Sequence, residues 1–170
     1  MAIIRELRGF TPKFGKDCFL AENAAIIGDV TMGDDCSIWY GTVLRGDVNT
    51  IKIGDRVNIQ DGAVVHTLYE RSVSEIGNDV SVGHNAIIHG AKIGNNVLIG
   101  MGAIIMDNAV VPDNTIIAAG AVVTHGTKVP AHEIWAGIPA KKVKACAPGQ
   151  AEEFAKHYSG YIKDWYLKED

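Results

Sequence analysis

The 170-residue sequence lacks a block of basic residues, a long apolar run and a CxxC motif. Its net charge is −4 at pH 7, and non-specific nucleic-acid binding needs many lysine and arginine contacts to phosphate, so we expect no nucleic-acid partner. No apolar run is long enough to cross a bilayer, and residues 1–17 carry scattered charges where a signal peptide has an apolar core. We therefore expect neither a membrane partner nor secretion.

Cysteine is also scarce. The three cysteines, Cys18, Cys36 and Cys146, are widely spaced and odd in number, which indicates neither a disulfide framework nor a metal knuckle. They are typical of the reduced thiols of a cytoplasmic protein.

Glycine is abundant, with 19 residues spread along the chain, and the sequence has a six-residue period. From Ile93 to Val129 an aliphatic residue recurs at every sixth position, and a small or β-branched residue follows most of them four places later. The same step runs upstream from Leu20. This period fits neither an α-helix nor a hairpin meander, but it fits a β-solenoid in which each hexapeptide supplies one short strand and one turn.

Three hexads close one triangular coil, so the eighteen hexads of the sequence predict about six stacked coils. The aliphatic residue points inward, and a following glycine such as Gly33 or Gly77 is expected to give the turn its backbone freedom. Interruptions at residues 50–52 and 71–75 are interpreted as loops on one face, often the binding face of a repeat protein. A β-sandwich is the alternative, but its turns come every 8–12 residues.

The period stops after Pro130, and residues 150–167 place four aromatic side chains at steps of 4, 3 and 4. This spacing predicts an α-helix whose aromatic stripe packs on the solenoid wall. The predicted domains are a solenoid over residues 1–148, with hexads at about 20–134, and a C-terminal helix over 149–170. The stripe consists of Phe154, Tyr158, Tyr161 and Trp165.

Two histidines in the stretch VGHNAIIHG, His84 and His89, are five residues apart, which suits neither a helical metal site nor one face of a flat strand. On a three-walled solenoid, Arg45, His66 and His89 each follow the inward aliphatic of a strand on the same wall. His66 and His89 then lie one coil apart, about 4.8 Å between backbones, close enough to share a metal.

His84 falls on a different wall, with Asp61 one coil below it. Three imidazoles converge only if a neighbouring chain presents its His84 to the His66 and His89 of this chain, and a threefold ring satisfies that contact. Three histidines with an open fourth position are the ligand set of a catalytic zinc site. Gln60 and Asp61 are then placed to orient a ligand ring or bind water.

Several motifs occur together and in order: LRGD at 44–47, NIQDG at 58–62, VH at 65–66, IGNDVSVGHNAIIHGAKIG at 76–94 and AGIPAKKV at 136–143. With the hexapeptide run, they resemble the gamma-class carbonic anhydrase family. The resemblance implies a left-handed parallel β-helix of hexapeptide repeats with a C-terminal α-helix, and a homotrimer with zinc, or iron in some members, between subunits. It implies reversible hydration of CO2 to bicarbonate by a metal-bound hydroxide.

The resemblance also implies roles for individual residues. The metal ligands fall on His66, His84 and His89. The interfacial Arg–Asp pair falls on Arg45 and Asp47, which are alternatively a structural ion pair, and the Gln–Asp pair near the metal water falls on Gln60 and Asp61.

The proton-transfer apparatus departs from the family pattern. Val48 stands where well-studied members carry a glutamate after RGD, and Glu70 is one of two acidic residues in a short excursion. Tyr161, in the C-terminal helix, is the catalytic candidate. The proton-transfer candidates are His157, in the same helix, and Glu70, in the excursion. The ligand set is intact, and a low activity is compatible with these departures.

Two other functions stay open at this point. Hexapeptide solenoids include acyltransferases that use acyl-CoA with a histidine base and no metal. Convergence of three histidines argues against this function, because a bound metal would occupy their lone pairs. The second of these functions is that of a metal-binding trimer without catalytic activity.

Overall fold

The computed structural model describes residues 1–167 and shows a β-solenoid followed by one C-terminal helix. Its strands and helices are β1 (Ile3–Arg5), β2 (Phe19–Leu20), β3 (Ala25–Met32), β4 (Ser37–Ile38), β5 (Val43–Ile53), β6 (Asn58–Ile59), β7 (Val64–His66), β8 (Ser74–Ile76), β9 (Ser81–Val82), β10 (Ile87–His89), β11 (Lys92–Ile93), β12 (Leu98–Ile99), β13 (Ile104–Ile105), β14 (Val110–Val111), β15 (Ile116–Ile117), β16 (Val122–Val123), β17 (Glu133–Ala136), β18 (Lys141–Ala145) and α1 (Glu153–Tyr161), which continues as a π-helical turn over Ile162–Tyr166.

The strands stack in parallel on three walls, which confirms the predicted solenoid. One wall has the order β2-β4-β6-β9-β12-β15-β17 and is closed by the antiparallel strand β18. The other two walls form one sheet because β5 bends round a corner: Val43 and Leu44 pair with β7, whereas Ile51–Ile53 pair with β8. The wall that ends in β17 has seven parallel levels, one more than the six predicted coils, because β17 extends it after the hexad pattern has ended.

The predicted inward aliphatic residues form the core. They are buried from Ile26 to Val129, and Leu20, in the first coil, is half-buried. A continuous apolar column therefore runs along the solenoid axis. Each coil buries its aliphatic side chains against those of the coils above and below it.

Neighbouring isoleucines on β10 give a matched test of this core. Ile88 is fully buried, whereas Ile87 is 36% exposed on the outer surface. We expect Ile88→Ala to lower the free energy of unfolding by about 2–5 kcal/mol, because it leaves a cavity between coils. Ile87→Ala is expected to change it by about 0.5 kcal/mol or less. Urea denaturation followed by circular dichroism measures both, and equal losses for the two variants would contradict the predicted wall orientation.

The turn glycines serve a different purpose from the one predicted. A Cβ on Gly54 would lie 2.8 Å from the backbone carbon of Gly77, and a Cβ on Gly77 would lie 2.7 Å from the carbonyl oxygen of Gly94. These glycines have no positive φ, so the expectation of backbone freedom is wrong at these turns; they are needed because successive coils leave no room for a side chain. The left-handed conformation falls two residues after these and similar glycines, at Asp35, Arg56, Asp79 and Asn96.

The C-terminal helix packs on the solenoid as predicted, but only Tyr158 of the predicted aromatic stripe makes the ring contact with the wall. Phe154 is 50% exposed and Trp165 is 69% exposed. Tyr158, which belongs to the stripe, meets Trp39 edge-on with 5.4 Å between the ring centroids. Ile162, which lies outside the stripe, is buried. The small residues Ala151 and Ala155 allow the close approach, and Tyr166 completes the contact against Phe19 and Trp39.

The predicted end of this helix at residue 170 lies outside the described residues. Within residues 1–167, no helix combines the length and the apolar character that crossing a membrane requires.

Candidate metal centre

His66 and His89 lie side by side on one wall, one coil apart, as predicted from the six-residue period. They are register partners at the ends of β7 and β10. One coil below, Leu44 pairs with Val65, so Arg45 lies below His66 on the same wall. The imidazole Nδ1 of His66 is 3.0 Å from Nε2 of His89. The parallel register of adjacent coils therefore brings two imidazoles into direct contact.

A carboxylate holds the outer nitrogen of each ring. Nε2 of His66 donates to Asp47 at 2.9 Å, and Nδ1 of His89 donates to Asp107 at 2.9 Å. Burial lowers the pKa of His66 and outweighs the hydrogen bond to Asp47, which favours the neutral ring. With both protons on the outer nitrogens, the lone pairs of the inner nitrogens face each other.

This arrangement fits a metal ion. Two lone pairs at 3.0 Å repel each other unless a cation lies between them. Two imidazole nitrogens that share a tetrahedral zinc at ~2.0–2.1 Å lie roughly 3.3 Å apart, so a small outward movement of the rings would make room for the ion. Carboxylates on the distal nitrogens are the partners that metal-ligating histidines commonly have.

Arg45 and Asp47 form an ion pair within one chain. The guanidinium Nη1 contacts Asp47 Oδ2, and the other carboxylate oxygen accepts the hydrogen bond from His66. Burial of Asp47 raises its pKa, but the hydrogen bonds from Arg45 and His66 outweigh that effect, so the pKa lies below its usual value. Asp47 is thus held ionised and fixes the His66 ring, while Arg45 stays partly exposed at the surface.

Asp107 is not among the site residues predicted from the sequence. Its Oδ1 accepts a hydrogen bond of 2.6 Å from Ser72, whose hydroxyl oxygen in turn accepts the backbone N–H of Leu68 at 3.0 Å. Burial raises the pKa of Asp107, but the hydrogen bonds from Ser72 and His89 outweigh it, and the pKa is lowered. The network therefore ties the excursion after β7 to the ring of His89. The available signal was that Ile88 pairs with Ile105 one coil above, so Asp107 lies one place beyond the position directly above His89.

His84 lies on another wall, also as predicted. It follows β9, and its Nδ1 is 2.8 Å from Oδ2 of Asp61, which follows β6 one coil below. Within residues 1–167, no three His, Cys, Asp or Glu residues of this chain cluster so that they could hold a metal ion. One chain thus presents a pair of histidines on one wall and a single oriented histidine on another.

A cleft of about 590 Å³ lies between the C-terminal helix and the wall that carries His84. Gln60, His84, His157 and Tyr161 line it together with apolar residues such as Leu98. Gln60 is buried, and its amide nitrogen donates to Asn58 at 3.0 Å, so its side chain is held in place. The structure therefore brings three further sequence candidates to the side of His84.

His157 has a defined proton arrangement in this cleft. Its Nδ1 lies 3.0 Å from the carbonyl oxygen of Glu153, which can only accept a hydrogen bond. Nδ1 therefore carries the proton, and Nε2 is the basic nitrogen of the neutral ring.

Glu70 is placed elsewhere. It is exposed on the turn before β8 and lines a separate depression of about 310 Å³ with Ser72 and Lys92. Within one chain, Glu70 and His157 therefore line different pockets.

Comparison with known proteins agrees with the fold. Residues 90–125 match the family described as "Bacterial transferase hexapeptide (six repeats)". The crystal structure of a hexapeptide transferase family protein from Anaplasma phagocytophilum has a TM-score of 0.91 and 40% sequence identity, covering 96% of this chain and 98% of that one. The fold and the repeats together define a hexapeptide-repeat solenoid protein.

Two named relatives narrow the class. The chain is 40% identical over 167 residues to a carbonic anhydrase of Geobacillus kaustophilus, covering 98% of this chain and 91% of the relative. It is 40% identical over 157 residues to the mitochondrial gamma carbonic anhydrase 2 of Arabidopsis thaliana, covering 89% of this chain, and spans 56% of the length of that plant protein. The chain belongs to the gamma carbonic anhydrase family.

Proposed function

We propose that this chain is a metal-dependent carbonic anhydrase that catalyses the reversible hydration of CO2 to bicarbonate at the subunit interfaces of a homotrimer. The observation that carries the proposal is the pair of facing nitrogens of His66 and His89, each backed by a carboxylate. Membership of the family supports the reaction class. We further propose a cytoplasmic location, which suits the free cysteines.

In this proposal His66 and His89 of one subunit and His84 of the next hold a zinc or ferrous ion. When bound, such an ion acts as a Lewis acid that lowers the pKa of the water it binds toward ~7. Asp47, Asp107 and Asp61 keep the three rings oriented, which is what the carboxylate contacts of this chain do.

The cleft beside His84 supplies the substrate environment. Its apolar lining, which includes Leu98, Met101 and Ile116, suits CO2, a small uncharged molecule. The buried side-chain amide of Gln60 lines the cleft and is proposed to donate a hydrogen bond to an oxygen of substrate or product. Tyr161, on the C-terminal helix, brings a hydroxyl group to the same cleft. Arg45 pairs with Asp47 near the wall that would face the next subunit.

The test combines metal analysis with stopped-flow CO2 hydration. Protein purified without chelator is expected to contain about one metal ion per chain and to hydrate CO2 far faster than the His89→Ala variant. A metal-free protein that binds acetyl-CoA would instead support the acyltransferase function. A metal-loaded protein that is no faster than His89→Ala would support the metal-binding trimer without catalytic activity.

Proton transfer gives a separate prediction for His157. We expect His157→Ala to lower kcat in dilute buffer by up to ~100-fold, because the group that passes the proton to solvent is lost. Added imidazole should restore the rate, since a soluble base replaces the side chain. Glu70→Gln, which changes a residue in the other pocket, is the comparison variant. A rate loss in Glu70→Gln alone would transfer the role to Glu70.

A further inference from the structure

Cys18 and Cys36 are stacked on each other at one corner of the first two coils. They are eighteen residues apart, and the next residues, Phe19 and Ser37, are register partners of β2 and β4. The N–H of Phe19 donates to the carbonyl oxygen of Cys36 at 2.9 Å. Adjacent parallel strands lie about 4.8 Å apart, which is within the Cα separation of about 4.4–6.8 Å that a disulfide spans.

The two thiols differ in their access to solvent. Cys36 is fully buried, and its Sγ is 3.0 Å from the carbonyl oxygen of Gly54. Cys18 belongs to the first coil and is half-buried, and its Sγ is 3.2 Å from the carbonyl oxygen of Gly33. Cys18 also lines a cleft of about 430 Å³ with Met1, Phe19 and Leu20. A small molecule therefore reaches Cys18 and not Cys36.

The reactivity of the two thiols differs in the same direction. The hydrogen bond from the Cys36 thiol lowers the pKa of Cys18 to about 7, although burial opposes this. The same hydrogen bond and burial raise the pKa of Cys36. At neutral pH Cys18 is thus partly ionised and is the more accessible and more nucleophilic of the two thiols, whereas Cys36 stays protonated beside it. An accessible thiolate beside a second cysteine is the arrangement that redox-reactive sites use.

We propose that Cys18 and Cys36 form a dithiol modification site that reacts with small-molecule disulfides of the glutathione disulfide type and closes to a Cys18–Cys36 disulfide. The site lies outside the metal centre and does not depend on the proposed function.

The reaction proceeds in two exchanges. The Cys18 thiolate attacks one sulfur of the small disulfide, whose S–S bond breaks, and the other half leaves as a thiolate. Cys36 then releases its proton, which solvent passes to that thiolate, and its sulfur attacks Sγ of Cys18. The second half of the small disulfide leaves as a thiol after taking a proton from water. In total two protein thiols are oxidised by two electrons, and one small disulfide is reduced to two thiols.

The test uses the full-length protein in its native assembly and oxidised glutathione as the probe. After incubation at pH 7, intact-mass analysis is expected to show the loss of two hydrogen atoms, and peptide mapping a Cys18–Cys36 link. Cys36→Ala should retain one glutathione on Cys18, and Cys18→Ala should not react. Cys146→Ala is the matched control, because Cys146 is also buried and burial raises its pKa, and it should behave like the unmodified sequence.

Labelling of the unmutated protein keeps the proposal testable if a variant misfolds. Iodoacetamide at pH 7 is expected to alkylate Cys18 at least about tenfold faster than Cys36 or Cys146, since the thiolate is the nucleophile. The proposal is overturned if Cys146 is labelled as fast as Cys18. It is also overturned if the wild-type protein keeps a stable glutathione adduct or resists oxidised glutathione altogether.

Discussion

Mixing two inactive variants, His66→Ala and His84→Ala, is expected to restore about a quarter of the wild-type rate of CO2 hydration. Each variant alone should lose nearly all activity and bind metal poorly, because in the proposed trimer each would lack one ligand at every interface. In randomly mixed trimers, about one interface in four combines the intact His66–His89 wall of one variant with the intact His84 of the other. That interface regains all three histidines.

The wall assignment provides the control for this experiment. His66 and His89 lie on the same wall of the same chain, so a mixture of His66→Ala and His89→Ala contains no interface with a complete ligand set. It is expected to stay inactive at every mixing ratio. His125→Ala, at an exposed turn, should leave activity unchanged alone and in mixtures.

Co-expression with two different affinity tags isolates the mixed trimers, in which one interface of three is complete, so the expected rate rises from about a quarter in the random mixture to about a third of the wild-type rate. Stopped-flow hydration with metal analysis measures the sites. Recovery in both mixtures would mean that His66 and His89 do not act from one subunit. Absence of recovery in the His66→Ala and His84→Ala mixture, in trimers shown to be mixed, would remove the interface site from the proposal.

Asp107→Ala is expected to weaken metal binding by about 10–100-fold while the protein stays folded. The change removes the acceptor that holds the proton on Nδ1 of His89 and releases Ser72 from the same carboxylate. The ring then rotates more freely, and its Nε2 becomes a poorer ligand. Asp107→Asn keeps an acceptor oxygen without the charge and should show a smaller loss.

Competition with a chromophoric chelator measures the metal Kd directly and does not depend on activity. Glu75→Ala is the matched control, because Glu75 is another carboxylate on the solenoid surface and it pairs with Lys92 rather than with a histidine. An unchanged Kd in Asp107→Ala would show that the carboxylate does not position the ligand. Equal weakening in Glu75→Ala would indicate a general effect of surface charge.

Much of the site could be predicted because a solenoid converts sequence distance into position. Once three hexads make a coil, the wall and level of His66, His84 and His89 follow from counting, and the structure has the His66–His89 register that the count requires. The pairing of Asp61 with His84 follows from the same count. The period also placed the core, since nearly every predicted inward residue is buried.

Some contacts between levels could not be predicted by counting. Asp107 reaches His89 from the coil above, and which of several polar residues near a ring accepts its proton depends on side-chain direction. The helix shows the same limit. Its aromatic spacing was correct for a helix, but which face packs on the wall depends on where Trp39 and the small alanines allow close approach.

The six-residue period by itself determined the solenoid, its three walls and the division of the histidines between two of them, because the strand repeat depends on short-range backbone geometry. The tertiary structure alone decided which carboxylates hold the rings of His66 and His89, why the turn glycines are needed, and how Cys18 and Cys36 differ in their access to solvent. Those features depend on a few ångströms of separation between adjacent coils, and sequence spacing does not resolve distances that small.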